Sequence, residues 1–94
     1  MLAPLTTHAR VRMQQRGIPA AAVEFLLDFG AEAHDHRNGC RIVRFDKRSR
    51  QRAAHELGAR RLRSVERWLD TYAVVGPDDA VVTVGHRHHR RAQP

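Results

Sequence analysis

Glycine and proline cut this chain into short pieces, and their spacing limits every element it can build. Gly17, Pro19, Gly30, Gly39, Gly58, Gly76 and Pro77 leave residues 40–57 as the longest uninterrupted stretch. Uninterrupted apolar runs of the roughly 18–20 residues that span a bilayer are excluded. No period of 20–50 residues recurs, so the 94 residues read as one small domain. Its 41% hydrophobic and 29% charged residues are ordinary for a folded chain.

Within these limits the pieces alternate in type. Thr6 or Thr7 can cap a helix over His8–Arg16, which Gly17 ends in the left-handed conformation. Pro19 suits the first position of a second helix, Ala20–Phe29, with Val23, Leu26 and Leu27 as its apolar stripe and Gly30 as its stop. Residues 31–36 and 40–46 look extended, and Arg37-Asn38-Gly39 between them supplies the Asn-Gly of a tight hairpin. Residues 47–57 predict an exposed helix carrying Arg48, Arg52 and Glu56 along one side, and Gly58 interrupts it. Leu62, Val65 and Leu69, beside Trp68, then give a second helical segment one apolar face. Thr71–Val75 and Ala80–Gly85 flank the turn residues Gly76-Pro77-Asp78-Asp79 as a second hairpin. The expected fold is α+β: two N-terminal helices and an antiparallel sheet of about four strands with a helical insert, the helices on one sheet face and the other face open. The expected core is Met13, Val23, Leu26, Ile42, Val65, Leu69, Val74, Val82 and Val84, and residues from His86, above all 87–94, form a fraying basic tail.

Charge narrows the function. Seventeen basic residues face ten acidic ones, for a net charge of +7, and Lys47 is the only lysine. The excess is local: residues 37–69 carry eleven basic and three acidic side chains. Such clustering attracts a phosphate polymer, because each neutralised phosphate releases counterions. RNA is the expected partner, contacted by Arg48, Arg52, Arg60 and Arg63. Aromatic residues are few, which argues against recognition of single strands by base stacking.

Candidate chemistry lies at both ends. His8, Arg12 and Arg16 recur every four residues along one edge of the first helix. A histidine beside two guanidiniums can move the proton of a ribose 2′-hydroxyl while arginine holds the phosphate, although the same spacing suits the solvated edge of an amphipathic helix. After the last strand, His86 is a candidate proton partner, and Arg87 and Arg90 are candidate phosphate contacts. His34 and His36 could ligate a metal but lack a third ligand at a recognisable spacing, so no metal and no cofactor is expected. The lone Cys40 excludes an internal disulfide and suits a small core residue. With no basic-then-apolar leader, the chain reads as cytoplasmic. Phosphate loops, nucleotide fingerprints and serine-elbow motifs do not occur.

The run Thr7-His8-Ala9, Arg12-Met13, Arg16-Gly17-Ile18, with the distal Tyr72-Ala73-Val74-Val75 and Val82-Thr83-Val84-Gly85-His86-Arg87, resembles the bacterial domain-of-unknown-function 4258 family. The likeness covers residues 6–46 and 70–90; the arginine-rich insert at 47–69 is less diagnostic. That family is similar to small RelE-like and BrnT-like toxins, relatives of the barnase–EndoU–colicin–RelE ribonucleases. The resemblance implies a RelE/barnase-like sheet and a metal-independent endoribonuclease or toxin relative, with His8, Arg12, Arg16, Thr83 and His86 at its site. It also implies an acidic antitoxin protein that covers the active face. In that scheme His8 is the base, Arg12 and Arg16 clamp the phosphate, and His86 is the acid. A non-catalytic nucleic-acid-binding or regulatory module of the same fold is the alternative, and an interaction domain with an incidental basic surface is a third.

Overall fold

The structure is a computed structural model describing residues 4–34 and 39–87. Helix α1 (Thr7–Arg16) starts at Thr6, whose hydroxyl accepts the Ala9 amide at 3.0 Å and donates to the Val82 carbonyl at 3.1 Å. One side chain therefore caps the helix and ties it to the last strand. Gly17 closes α1 with φ 65°, and its amide reaches back to Gln14. Helix α2 (Ala20–Phe29) follows, with Pro19 as the N-cap rather than the first helical residue. Gly30 ends it in an extended conformation, φ −69°, not the left-handed one. Glycine is required there for space: a Cβ would stand 2.6 Å from the Leu26 carbonyl oxygen and 2.9 Å from a Val43 methyl.

Strands β1 (Ala31–His34) and β2 (Arg41–Arg44) pair antiparallel, Ala31 opposite Arg44. β2 is shorter than the sequence suggests, and residues 35 and 36, expected to continue β1, lie outside the described residues. The turn is described only from Gly39, and His36, Arg37 and Asn38 lie outside the described residues. Asp46, expected at the end of a strand, instead caps helix α3 (Lys47–Val65). Its carboxylate accepts the Ser49 amide at 2.8 Å while the Ser49 hydroxyl accepts the Asp46 amide, a reciprocal capping box. Gly58, at φ 78° and ψ 163°, kinks α3 into the two segments expected from its sequence. A short 3₁₀ turn, Glu66–Trp68, leads into β3 (Thr71–Val75) and then β4 (Val81–His86). His86 thus belongs to the sheet and not to the tail; residues 88–94 lie outside the described residues.

Sheet order follows chain order, β1-β2-β3-β4, every pair antiparallel. Helix α1 lies against β4, α2 covers β2 and β3, and α3 packs on α2. The core between helices and sheet holds Ala9, Val23, Leu26, Val43, Phe45, Ala53, Ala73, Val81 and Val84, with Phe25 and Phe45 rings 4.9 Å apart. Val23, Leu26 and Val84 meet expectation, and Met13, Val65 and Leu69 pack on the core partly buried. Ile42, Val74 and Val82 do not join it. In β2 and β3 the inward residues are Val43, Ala73 and their alternates, so period-two alternation turns Ile42 and Val74 to the opposite face. Val82 sits at the irregularity where Val75 pairs with Val81. That opposite sheet face carries no described helix. No described helix is long and apolar enough to cross a membrane.

Candidate anion-binding site

The open face is where charge gathers. Alternation brings Arg44, Tyr72 and Gly85 side by side across β2, β3 and β4, with Ile42, Val74 and Thr83 in the next row. Gly85 makes the arrangement possible. A Cβ there would lie 2.5 Å from the Arg16 guanidinium and 2.8 and 2.9 Å from the Tyr72 ring and hydroxyl. Arg16 therefore reaches from the end of α1 over the edge of β4, its guanidinium donating to the Val84 carbonyl at 2.9 Å. From the end of β4, Arg87 reaches over the same face and donates to the Phe45 carbonyl at 2.8 Å.

These groups line a recess of about 590 Å³ made by Arg16, Ile42, Arg44, Tyr72, His86 and Arg87, a size that takes a small ligand. It has an apolar floor and three guanidiniums, and among the described residues no carboxylate lines it. Arg16 and Arg87 are held by backbone carbonyls, which fixes their position without cancelling their charge. A guanidinium has five N–H donors, so most remain for a ligand. Three uncompensated cations around one hollow favour an anion, and a planar fork suits phosphate or carboxylate oxygens.

His86 brings proton chemistry to the rim. Its Nε2 lies 3.0 Å from the carbonyl oxygen of Arg16. A carbonyl only accepts, so Nε2 carries the hydrogen and Nδ1 of the neutral ring carries the lone pair. The ring also stacks on Trp68, centroids 6.5 Å apart and planes at 28°, and the Arg67 guanidinium stands 5.2 Å from the centre of the indole.

The remaining candidates scatter. His8 is exposed on the first turn of α1 and does not line the recess. Each four-residue step advances about 40° around a helix, so the His8–Arg12–Arg16 row drifts away from a common direction while climbing about 12 Å. Arg12 is half-buried and faces Gln15 Oε1 at 3.4 Å. Thr83 shares the open face without lining the recess. Arg48, Arg60 and Arg63 are exposed on α3, Arg52 donates to the Phe29 carbonyl at 2.7 Å, and Arg90 lies outside the described residues. Among the described residues no three His, Cys, Asp or Glu side chains are placed to share a metal ion.

Motif spacing does not single out Arg44 and Tyr72, because neither belongs to a spaced pair. The available signal was alternation: Arg44 follows the buried Val43 and Tyr72 the buried Thr71, so both stand on the uncovered face. Comparisons with models of protein families, with curated proteins and with solved structures each find no match for the chain.

Proposed function

We propose that the protein is a small cytoplasmic RNA-binding domain of RelE-like character that holds a phosphodiester in the open-face recess and cleaves it through the substrate's own 2′-hydroxyl. The observation that supports this best is a hollow lined by three arginines, a tyrosine and a histidine with no acid among them. Arg16, Arg44 and Arg87 hold the phosphate and offset the charge that develops on its oxygens. With Nε2–H donated to the Arg16 carbonyl, the neutral form of the His86 ring offers its Nδ1 lone pair to the 2′-hydroxyl proton, a base where the sequence suggested an acid. The 2′-oxygen bonds to phosphorus, the bond to the 5′-oxygen breaks, and the Tyr72 hydroxyl supplies the proton that oxygen takes up. The products are a 2′,3′-cyclic phosphate and a 5′-hydroxyl.

A second reading, a binding module without chemistry, has its own support. His86 already spends one nitrogen on Arg16, and His8 stands outside the recess. Single-turnover cleavage and binding on one RNA separate the two. For the enzyme, His86→Ala leaves affinity within a few-fold and lowers cleavage by about 10²–10⁴, Arg44→Ala weakens both, and cleavage persists in chelator. Wild-type protein that binds and never cuts leaves the binding module, and His8→Ala losing cleavage while His86→Ala keeps it restores the helix-edge histidine as base.

A further inference from the structure

The recess accounts for only part of the basic charge. Helix α3 contributes none of its lining, and its own packing is on α2 and the 3₁₀ turn, in the helical layer. Arg44 pairs with Tyr72 across β2 and β3, so α3 leaves and re-enters the sheet at one end, with the kink at Gly58 between. Arg50 and Asp70 close its base with a 2.9 Å ion pair.

Beyond the kink, Leu62 and Val65 are half-buried and pack on the core, while Arg60, Arg61 and Arg63 are exposed. At about 100° per residue, Arg60 and Arg63 point away from that apolar side. Before the kink, Ser49 and Ala53 are buried and Arg48 is exposed. Among the described residues none of Arg48, Arg60, Arg61 and Arg63 has an ion-pair partner. The face offers no apolar anchor either, since the one exposed large hydrophobic among the described residues is Val11, on α1. Protein interfaces are built on aromatic and apolar centres depleted of charge, and single-strand sites on stacking rings. A helical surface of guanidiniums with neither, in two segments joined at Gly58, fits a surface that is itself regular and anionic.

We infer that the outer face of α3 is a second RNA-binding surface, separate from the recess, that docks the sugar-phosphate backbone of base-paired RNA. It builds on the recess being an RNA site, and together the two surfaces select an RNA in which an unpaired nucleotide lies beside a stem: the recess takes the former and α3 the latter. Joining two weak sites on one ligand raises affinity through effective concentration, without new contacts.

The test uses the full chain and three fluorescent probes: a 20-base-pair RNA duplex, a single-stranded hexanucleotide and a stem-loop containing both. In R60E/R61E/R63E, duplex affinity falls by at least about tenfold, and the slope of log K against log salt becomes shallower by roughly three, one for each lost phosphate contact. Hexanucleotide affinity stays within about threefold at physiological salt, where the screening length is about 8 Å. The triple lysine variant R60K/R61K/R63K keeps duplex binding, and circular dichroism shows all variants folded. Unchanged duplex affinity in the reversed variant overturns the inference, and so does a parallel loss of hexanucleotide, which would make the surfaces one. Polyglutamate competing as well as duplex at equal charge overturns the choice of RNA. Should R44A and R87A leave the hexanucleotide unaffected while R60E/R61E/R63E still loses duplex, the recess reading fails and the α3 surface stands.

Discussion

At the scale of single residues, the site depends on an absent side chain. Gly85 leaves the space in which the Arg16 guanidinium and the Tyr72 hydroxyl meet, and both would collide with a Cβ. The colliding atoms end flexible side chains, so Gly85→Ala displaces them and spares the backbone. RNA affinity is expected to fall about tenfold, the worth of one charge-assisted contact, with a melting temperature within a few degrees of wild type. Titration calorimetry and thermal melts on the same sample check both halves; unchanged affinity means that Arg16 does not touch the ligand. Arg41 shows a different residue-scale role. Asp79, hydrogen-bonded to it, raises its pKa above the ordinary value, and Glu32 stands 3.8 Å away. That cation is committed to carboxylates, and alternation along β2 puts it on the face opposite to Arg44, which faces the recess.

At the scale of elements, the capping box at Asp46 sets an acid limit on α3. The Ser49 amide and hydroxyl hold the Asp46 carboxyl below its usual pKa. A carboxyl lowered on folding contributes stability that is full above its unfolded pKa, near 4, and is lost as pH falls through the folded one. Asp46→Ala should therefore melt at a lower temperature than wild type at pH 7, and the gap should narrow steadily as pH falls below about 4; a gap that does not narrow in acid means the carboxylate is not the cause. Elements were the most legible level of the sequence. Thr6, Gly17 and Gly58 mark helix ends and a kink through local chemistry that no tertiary contact needs to decide. Sheet facing was less legible, because Ile42-Val43 and Val74-Val75 are apolar on both sides and either alternation buries a branched residue. The outcome follows α2, which packs close enough to exclude a Cβ at Gly30 and takes small Ala73 beneath it. The site was half legible for the same reason. Arg16, His86 and Arg87 could be read from their motifs, whereas Arg44 and Tyr72 came to line the recess only when the sheet chose its face.

At the scale of the whole molecule, the arginines divide between a hollow on the sheet and a face of the helical layer. RNA binding to wild type should weaken by about 10²–10⁴ between 50 and 200 mM salt if four to eight phosphates are engaged. Hexanucleotide binding should show a shallower dependence than stem-loop binding; equal slopes would mean the same contacts serve both probes. The sheet itself has unlike borders. Along β4, the Thr6 amide donates to Val81 and the Val81 amide to Pro4, and the Arg16 guanidinium occupies the Val84 carbonyl. β1 is the last strand at the other side. A continuous ribbon of sheets needs a donor border and a receiving border on every copy, and here one is already sealed. Two copies meeting through β1 would close on each other about a two-fold axis and stop, so the described sheet favours pairing by its backbone over a continuous ribbon.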